Sequence, residues 1–253
     1  VGVAMLPRLS RLVAAGDQDG ARGALDEAVN LSMAFTLPSA AAMLAAPAFL
    51  LDGLFSRGAF TAEDARNCAL ALFHYGWGVP AFVLAKIYAP GFFAREDTKA
   101  PMRFALISMA LNIVLGAIFF FALRAAGVAG FPGLAIATSV AAWANVILMI
   151  GALTRAGNYA PSAQATSRLI RIALVSAALG GAMYLCQINR DAVVDLLGNK
   201  EIAVAVMILG GGTAYFIVLF LVGAVRISEV RAAFRRERGA PAGGGGLPPS
   251  LDG

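Results

Sequence analysis

Residues Ala89–Arg103 read APGFFAREDTKAPMR, and the organisation of the whole chain follows from them. An apolar helical run ends in Pro90-Gly91-Phe92-Phe93, and a tight turn then carries five charges: Arg95, Glu96, Asp97, Lys99 and Arg103. Pro101 opens the next apolar run. Proline suits the first turn of a helix, because its missing N–H would have had no partner there. Asp97 or Thr98, just upstream, can cap the free amides. The stretch therefore predicts a charged hinge between two membrane-length helices, placed where both reach water.

Outward from the hinge the pattern repeats, with long apolar runs separated by short charged turns. The 253 residues are 59% hydrophobic and 14% charged, with mean hydropathy +0.76. Soluble domains carry about 25% charged residues, so a soluble fold is excluded. Runs of roughly 20 apolar residues read as membrane spans, and six are predicted: 31–54, 69–91, 103–123, 133–153, 168–188 and 202–225. The chain opens on VGVAML, apolar up to Pro7-Arg8, which reads as the tail of a truncated span. A polar, amphipathic connector over residues 8–28 has Leu9, Leu12, Val13 and Leu25 on one side, suited to the membrane surface. After Arg226 comes a basic stretch, RISEVRAAFRRER, then a Gly/Pro-rich end expected to be disordered.

Lys and Arg divide unequally between the two sides. One side holds Arg8, Arg11, Arg22, Arg95, Lys99, Arg103, Arg155, Arg168, Arg171, Arg226, Arg231, Arg235, Arg236 and Arg238. The other holds Arg57, Arg66, Arg124, Arg190 and Lys200. Positively charged loops stay cytoplasmic, so the hinge and the C-terminal tail are expected in the cytosol.

Lys86 is the basic side chain assigned to neither side, inside a predicted span. Such a lysine is a functional-site candidate by default. It also lies five residues before Gly91, about 7.5 Å of helix rise, so snorkelling to the headgroups is the competing reading. Asn112 and Asn145 fall near the middle of their spans, where an amide bonds to a neighbouring helix or, as the second reading, touches substrate. His74 sits with Tyr75 and Trp77 in a stretch that reads as an interfacial aromatic belt, with proton relay as the lesser alternative. Pro38, Pro47 and Pro80 invite kinks. Gly180-Gly181 and Gly210-Gly211-Gly212 permit close helix approach. Cys68 and Cys186 both fall near the outer face without a reason to pair.

Two cysteines and one histidine offer no metal cluster or disulfide framework. The carboxylates are scattered over turns on both sides, so no nucleophile–base constellation forms, and there is no phosphate-binding GxxxxGK[ST] loop. No cofactor and no nucleic-acid partner are expected. By elimination the chain moves, binds or holds something.

APGFFAREDTKAP preceded by VLAKIY resembles the hinge of the MurJ/MviN family, the lipid II flippases of the MOP transporter superfamily. Other stretches are similar in the same order: VGVAMLPRLSRLVAAGD to the end of that family's eighth span, LPSAAAMLAAP and LFSRGAFTAED to its ninth span and outer loop, and LAIATSVAAWANVILM to its twelfth. The resemblance implies an all-α polytopic protein of the bacterial inner membrane. In that scheme residues 1–155 form part of a second transporter lobe, 156–226 add two further transmembrane helices, and 227–253 form the tail. The implied substrate is the undecaprenyl-linked peptidoglycan precursor, lipid II, moved by alternating access in concert with membrane lipids and a missing N-terminal lobe. Lys86, Arg95, Asp97, Lys99, Arg103 and Asn112 would belong to the inner gate and its rim. Gly180, Gly181, Gly210, Gly211 and Gly212 would line a groove for the lipid tail. The resemblance also places the family's central arginines upstream of Val1, so these residues alone are expected not to flip lipid. Two other readings stand beside it: an exporter of lipid-linked polysaccharide or drugs from the same superfamily, and a non-transporting membrane scaffold for cell-wall enzymes.

Overall fold

The structure, a computed structural model, describes residues 2–55 and 62–224. The loop around Arg57 within LFSRGAFT and the basic tail from Arg226 onward lie outside the described residues. Those described form helices joined by short turns, with no strand among them. In order they are α1 (Gly2–Ala14), α2 (Gln18–Ala45), α3 (Pro47–Phe55), α4 (Ala62–Gly76), α5 (Val79–Phe93), α6 (Lys99–Ala125), α7 (Phe131–Arg155), α8 (Ala163–Ile188), α9 (Arg190–Leu197) and α10 (Lys200–Leu221).

Among the described residues, six segments are long and apolar enough to cross a membrane: Gln18–Ala45, Arg66–Phe93, Lys99–Ala125, Phe131–Arg155, Ala163–Ile188 and Glu201–Leu221. Each overlaps one predicted span, but the first lies earlier than the expected 31–54, because that stretch is divided between the end of α2 and α3. At 27 residues, α6 reaches about 40 Å, enough for a hydrocarbon core of about 30 Å.

The connector expected over residues 8–28 is different. α1 runs on to Ala14 and α2 begins at Gln18, so little beyond Ala15–Asp17 is a turn. Leu9 and Leu25 are wholly buried, and Leu12 and Val13 pack against the same core. The apolar side that suited a membrane surface is covered by protein instead. It joins Ala81, Leu84, Ile87, Tyr88 and Phe92 of α5 and Val146, Met149 and Leu153 of α7 in one cluster. That cluster sits at the end of the bundle where the charged turn lies.

The prolines act in three ways. Pro38 stays within an unbroken α2. Pro47 ends it, with Ala46 at φ −137° and ψ 45°, because the ring of a proline disfavours helical backbone in the residue before it. Pro80 lies in the first turn of α5, just after a break at Trp77-Gly78. The carbonyls freed at this break are taken up by α7: Ser139 Oγ donates to the His74 carbonyl at 2.8 Å and Trp143 Nε1 to the Trp77 carbonyl at 2.9 Å. Neighbouring helices must satisfy such groups, since lipid cannot.

α6 lies against α7 along a face of small and polar residues spaced four apart. Ser108 Oγ donates to the Ala141 carbonyl at 2.7 Å, and Thr138 Oγ1 donates to Asn112 Oδ1 at 3.2 Å. One turn on, a Cβ added at Gly116 would touch Leu134 at 3.4 Å. The remaining faces of α6 are open, with Ile113 and Phe121 about two-thirds exposed. α8 packs on α2, and α10 packs on α8 and α3; α9 is a short surface helix between them with no buried residue. Both cysteines are free thiols.

Candidate functional site

The hinge forms as the sequence predicts, with particular residues assigned to each end. α5 closes with two bonds back onto its last turn, Glu96 N–H to the Phe93 carbonyl at 3.0 Å and Asp97 N–H to the Phe92 carbonyl at 3.1 Å. This closure needs a left-handed residue at the penultimate position, and Glu96 supplies it with φ 59°. The same bond pair closes α1, α6, α7 and α10 at Gly16, Gly127, Gly157 and Gly223. Here alone among the described residues a side-chain-bearing residue adopts that backbone, a conformation that costs an L-residue roughly 1–2 kcal/mol. Asp97 Oδ1 accepts from Lys99 N–H at 3.1 Å and Ala100 N–H at 3.0 Å, so of the two capping candidates Asp97 caps α6. Thr98 makes no side-chain cap bond.

Arg95 fastens the turn to two other segments. Its guanidinium donates to the Gly91 carbonyl at 2.8 Å, to Gln18 Oε1 at 3.0 Å and to the Asn158 carbonyl at 3.5 Å. Arg22, from the first turns of α2, donates to the Gly157 carbonyl at 2.7 Å and to Asp19 Oδ1 at 3.1 Å. The α5–α6 turn, the start of α2 and the α7–α8 turn therefore meet around two guanidiniums. Partial burial, and then the like charge of Arg22, lower the pKa of Arg95, although arginine remains charged.

Beneath them lies a buried carboxylate. Asp26 Oδ1 accepts from the Tyr159 hydroxyl at 2.8 Å and Oδ2 from the Ser162 N–H at 3.1 Å. The Tyr159 ring packs 5.5 Å from that of Tyr88. Burial first, then Tyr88 and the bond to Asp26, raise the pKa of Tyr159 far above its ordinary value. A carboxylate taken out of water requires such partners, so Asp26 ties the α7–α8 turn onto α2.

The predicted gate residues thus fall into two groups. Arg95 and Asp97 are bonded within the protein, as is Asn112 through Thr138. The side chains of Lys86, Lys99 and Arg103 are exposed, with no hydrogen-bond or ion-pair partner among the described residues. Lys86 shares its side of α5 with the exposed Phe82 and Phe93, four residues before it and seven after. The glycines divide too. A Cβ on Gly180 would meet Ala41 at 3.3 Å and one on Gly211 would meet Leu179 at 3.2 Å, whereas Gly181, Gly210 and Gly212 face open space. Asn145 Oδ1 is buried without a partner among the described residues, unlike Asn112. At His74 the backbone carbonyl makes the cross-helix bond, while its ring lies edge-on to Phe73 at 5.3 Å.

Sequence reasoning missed Gln18, Arg22, Asp26, Asn158 and Tyr159. Arg22 and Asp26 are four apart, on one side of a helix, flanking the buried Leu25. That spacing is legible once the segment is taken as helix.

The sequence profile of the family described as Lipid II flippase MurJ matches residues 1–222. The chain belongs to the MurJ family. It is 32% identical over 245 residues to the probable lipid II flippase MurJ of Rhizobium tropici, covering 96% of this chain and 45% of the relative. The corresponding protein of Rhizobium meliloti (strain 1021) is 32% identical over 242 residues, covering 93% and 44%. That of Vibrio cholerae is 31% identical over 234 residues, covering 92% and 43%. A solved structure of lipid II flippase MurJ in an inward closed conformation superposes with TM-score 0.68 at 22% identity, over 89% of this chain and 43% of that one, which shows the shared fold. The chain spans a little under half the length of the relatives it matches. The MurJ proteins are transporters, and with six spans of membrane length this one is a multi-pass inner-membrane protein.

Proposed function

We propose that this chain forms the C-terminal part of a flippase that carries lipid II from the cytosolic to the outer leaflet by alternating access. The observation that supports this best is the MurJ family match across residues 1–222. In this reading residues 1–155 contribute to the second lobe, residues 156–226 are the two additional helices, and an N-terminal lobe completes the transport route. The hinge at 95–103 and the tail face the cytosol, as the excess of Lys and Arg on that side suggests. The relatives matched are named lipid II flippases, which favours neither the polysaccharide-exporter nor the scaffold reading.

The substrate class explains the chemistry of the rim. A diphosphate headgroup presents several anionic oxygens, and Lys and Arg make short, charge-assisted bonds to them. Lys86, Lys99 and Arg103 are the exposed cations assigned to that contact. Arg95 and Asp97 act as positioning residues, one tying the turn to α2 and the α7–α8 loop, the other starting α6. Asn112 holds α6 on α7. Gly181, Gly210 and Gly212 are the glycines with open faces for a lipid tail, and Gly180 and Gly211 serve helix packing. Nothing in this cycle makes or breaks a covalent bond, so the protein is a transporter and not a catalyst.

Complementation tests the reading. A bacterium depleted of its own lipid II flippase and supplied with the intact gene should grow with normal cell shape. The Lys86→Ala variant, present in the membrane at the wild-type level, should fail to restore growth. Failure of the well-inserted intact protein to rescue would remove the flippase assignment. Rescue by Lys86→Ala would instead leave this lysine as a snorkelling residue.

A further inference from the structure

Between α8 and α10 the charges crowd into one short stretch. The sequence has no charged residue over 172–189 or over 202–225, and Arg190, Asp191, Asp195, Lys200 and Glu201 all fall in between. From residue 172 to the end of α8 at Ile188 the helix rises about 25 Å, close to the ~30 Å of a hydrocarbon core. α8 starts at the hinge end, where the Ser162 N–H is bonded to Asp26. The charges therefore mark the opposite boundary of the membrane, and α9 lies at that boundary. Asn189 leaves helical backbone with ψ 28° before it, and Gly198 closes it with φ 87°. Asn199 Oδ1 then accepts from the Ile202 N–H at 2.8 Å to start α10.

The sides of α9 differ in chemistry. Val193, Val194 and Leu197 pack against the cluster of Phe49, Met183, Val204 and Met207, so the helix lies along the end of the bundle. At 3.6 residues per turn, Asp191 and Asp195 fall on one side of that packed face and Ala192 and Leu196 on the other. Leu196 is 83% exposed, the most of any large apolar side chain among the described residues. Arg190 turns back toward α3, with Nη2 3.9 Å from Asp52 Oδ2 and Nε 3.4 Å from Asp191 Oδ1. In the last turns of α8, Leu185 and Ile188 are also more than half exposed, so the apolar surface of the span runs up to the start of α9. A helix at this level with one apolar and one acidic flank suits the membrane interface, where its apolar side sinks about 5–10 Å into the headgroup layer.

We infer that α9 is an interfacial helix in the leaflet opposite the hinge, with Ala192 and Leu196 inserted among the lipids and Asp191 and Asp195 turned to water. The partner is the lipid surface itself and not a particular headgroup, because the inserted flank carries no ionised side chain. This contact sets the depth of α8 and α10 from that side.

Spin labels on the intact protein test this, in a background free of other cysteines and in phosphatidylethanolamine–phosphatidylglycerol vesicles. Oxygen concentrates in hydrocarbon and a nickel chelate in water, so the ratio of their relaxation effects reads depth. A label at Leu196→Cys should favour oxygen and report a depth of about 5–10 Å, and one at Asp195→Cys should favour the nickel chelate. Both positions are exposed, so neither label disturbs the packed face. Leu196→Asp should move a label at Ala192→Cys toward water. Preference for the nickel chelate at position 196 would overturn the inference. Shielding of that label from both reagents, the result expected if another segment or a protein partner covered it, would overturn it too, as would an unchanged label at 192 in Leu196→Asp.

Discussion

Replacing Gly78 by alanine tests whether the break between α4 and α5 is held by direct packing on α7. A Cβ at position 78 would press into Ser139 Oγ and lie 2.8 Å from Ser139 Cβ and 3.0 Å from its Cα. Carbon atoms pack at about 3.5–4.0 Å, so relief requires a shift of roughly 0.5–1 Å. Turning the Ser139 hydroxyl aside does not help, because the Cα belongs to the α7 backbone. The helices must separate, and the bonds from Ser139 to the His74 carbonyl and from Trp143 to the Trp77 carbonyl lengthen together. Overpacking costs about 1–3 kcal/mol, and cross-helix bonds in membranes contribute about 0.6 kcal/mol each. Gly78→Ala should therefore destabilise the protein by about 2–4 kcal/mol. Thermal unfolding of the intact protein in detergent measures this, alongside Ser139→Gly and the double variant. Ser139→Gly removes both side-chain obstacles and leaves only the α7 backbone in the way. The double variant should then lose at least about 1 kcal/mol less than the sum of the singles, the coupling expected of residues that touch. A single-variant effect below about 0.5 kcal/mol, or simple additivity, would refute the packing argument.

Other outcomes follow from the junction at the hinge. Glu96→Gly removes a left-handed L-residue while adding unfolded-state freedom, so it should stabilise by about 0.5–1 kcal/mol in the same unfolding assay. Arg95→Ala leaves Gln18 and two carbonyls without their donor and should cost about 1–3 kcal/mol, whereas Lys86→Ala should change stability by less than about 0.5 kcal/mol. Tyr159 has its pKa raised above the ordinary 10.0, so the folded protein keeps a proton that the unfolded chain releases. Its contribution is intact below about pH 10 and declines as pH rises beyond it. Unfolding between pH 8 and 11.5 should show that decline in the wild type, and Tyr159→Phe should lack this component of it.

Which parts of this were legible in the sequence follows from what each signal depends on. Six spans could be read because run length and charge spacing are local, and the hinge because Asp97 and Pro101 act on amides a few residues away. The segment 8–28 could not, because a helix that buries Leu9 and Leu25 against α5 and α7 has the same amphipathic pattern as one lying on a bilayer. The covering partner decides, and it is distant in sequence. Pro47 and Pro80 marked the breaks, while the groups that stabilise the second break, Ser139 and Trp143, lie some 60 residues further on. The sequence also pointed to Arg95 as a charge near the substrate, without showing that three of its bonds go to the protein itself. Glu96 carried no sign at all of its left-handed backbone, since glycine fills that position at the other helix ends closed in the same way.

Under the proposed function the intact protein moves lipid II and Lys86, the cation exposed on α5, takes part. The most direct measurement is the fraction of lipid II that an externally added, lipid II-cleaving enzyme reaches in cells depleted of their own flippase. Cells given the intact wild-type gene should expose lipid II on the outer leaflet, and cells given Lys86→Ala at equal membrane abundance should retain it inside. Equal exposure with either gene would contradict the role assigned to Lys86, and no exposure with the wild type would contradict the transport function itself.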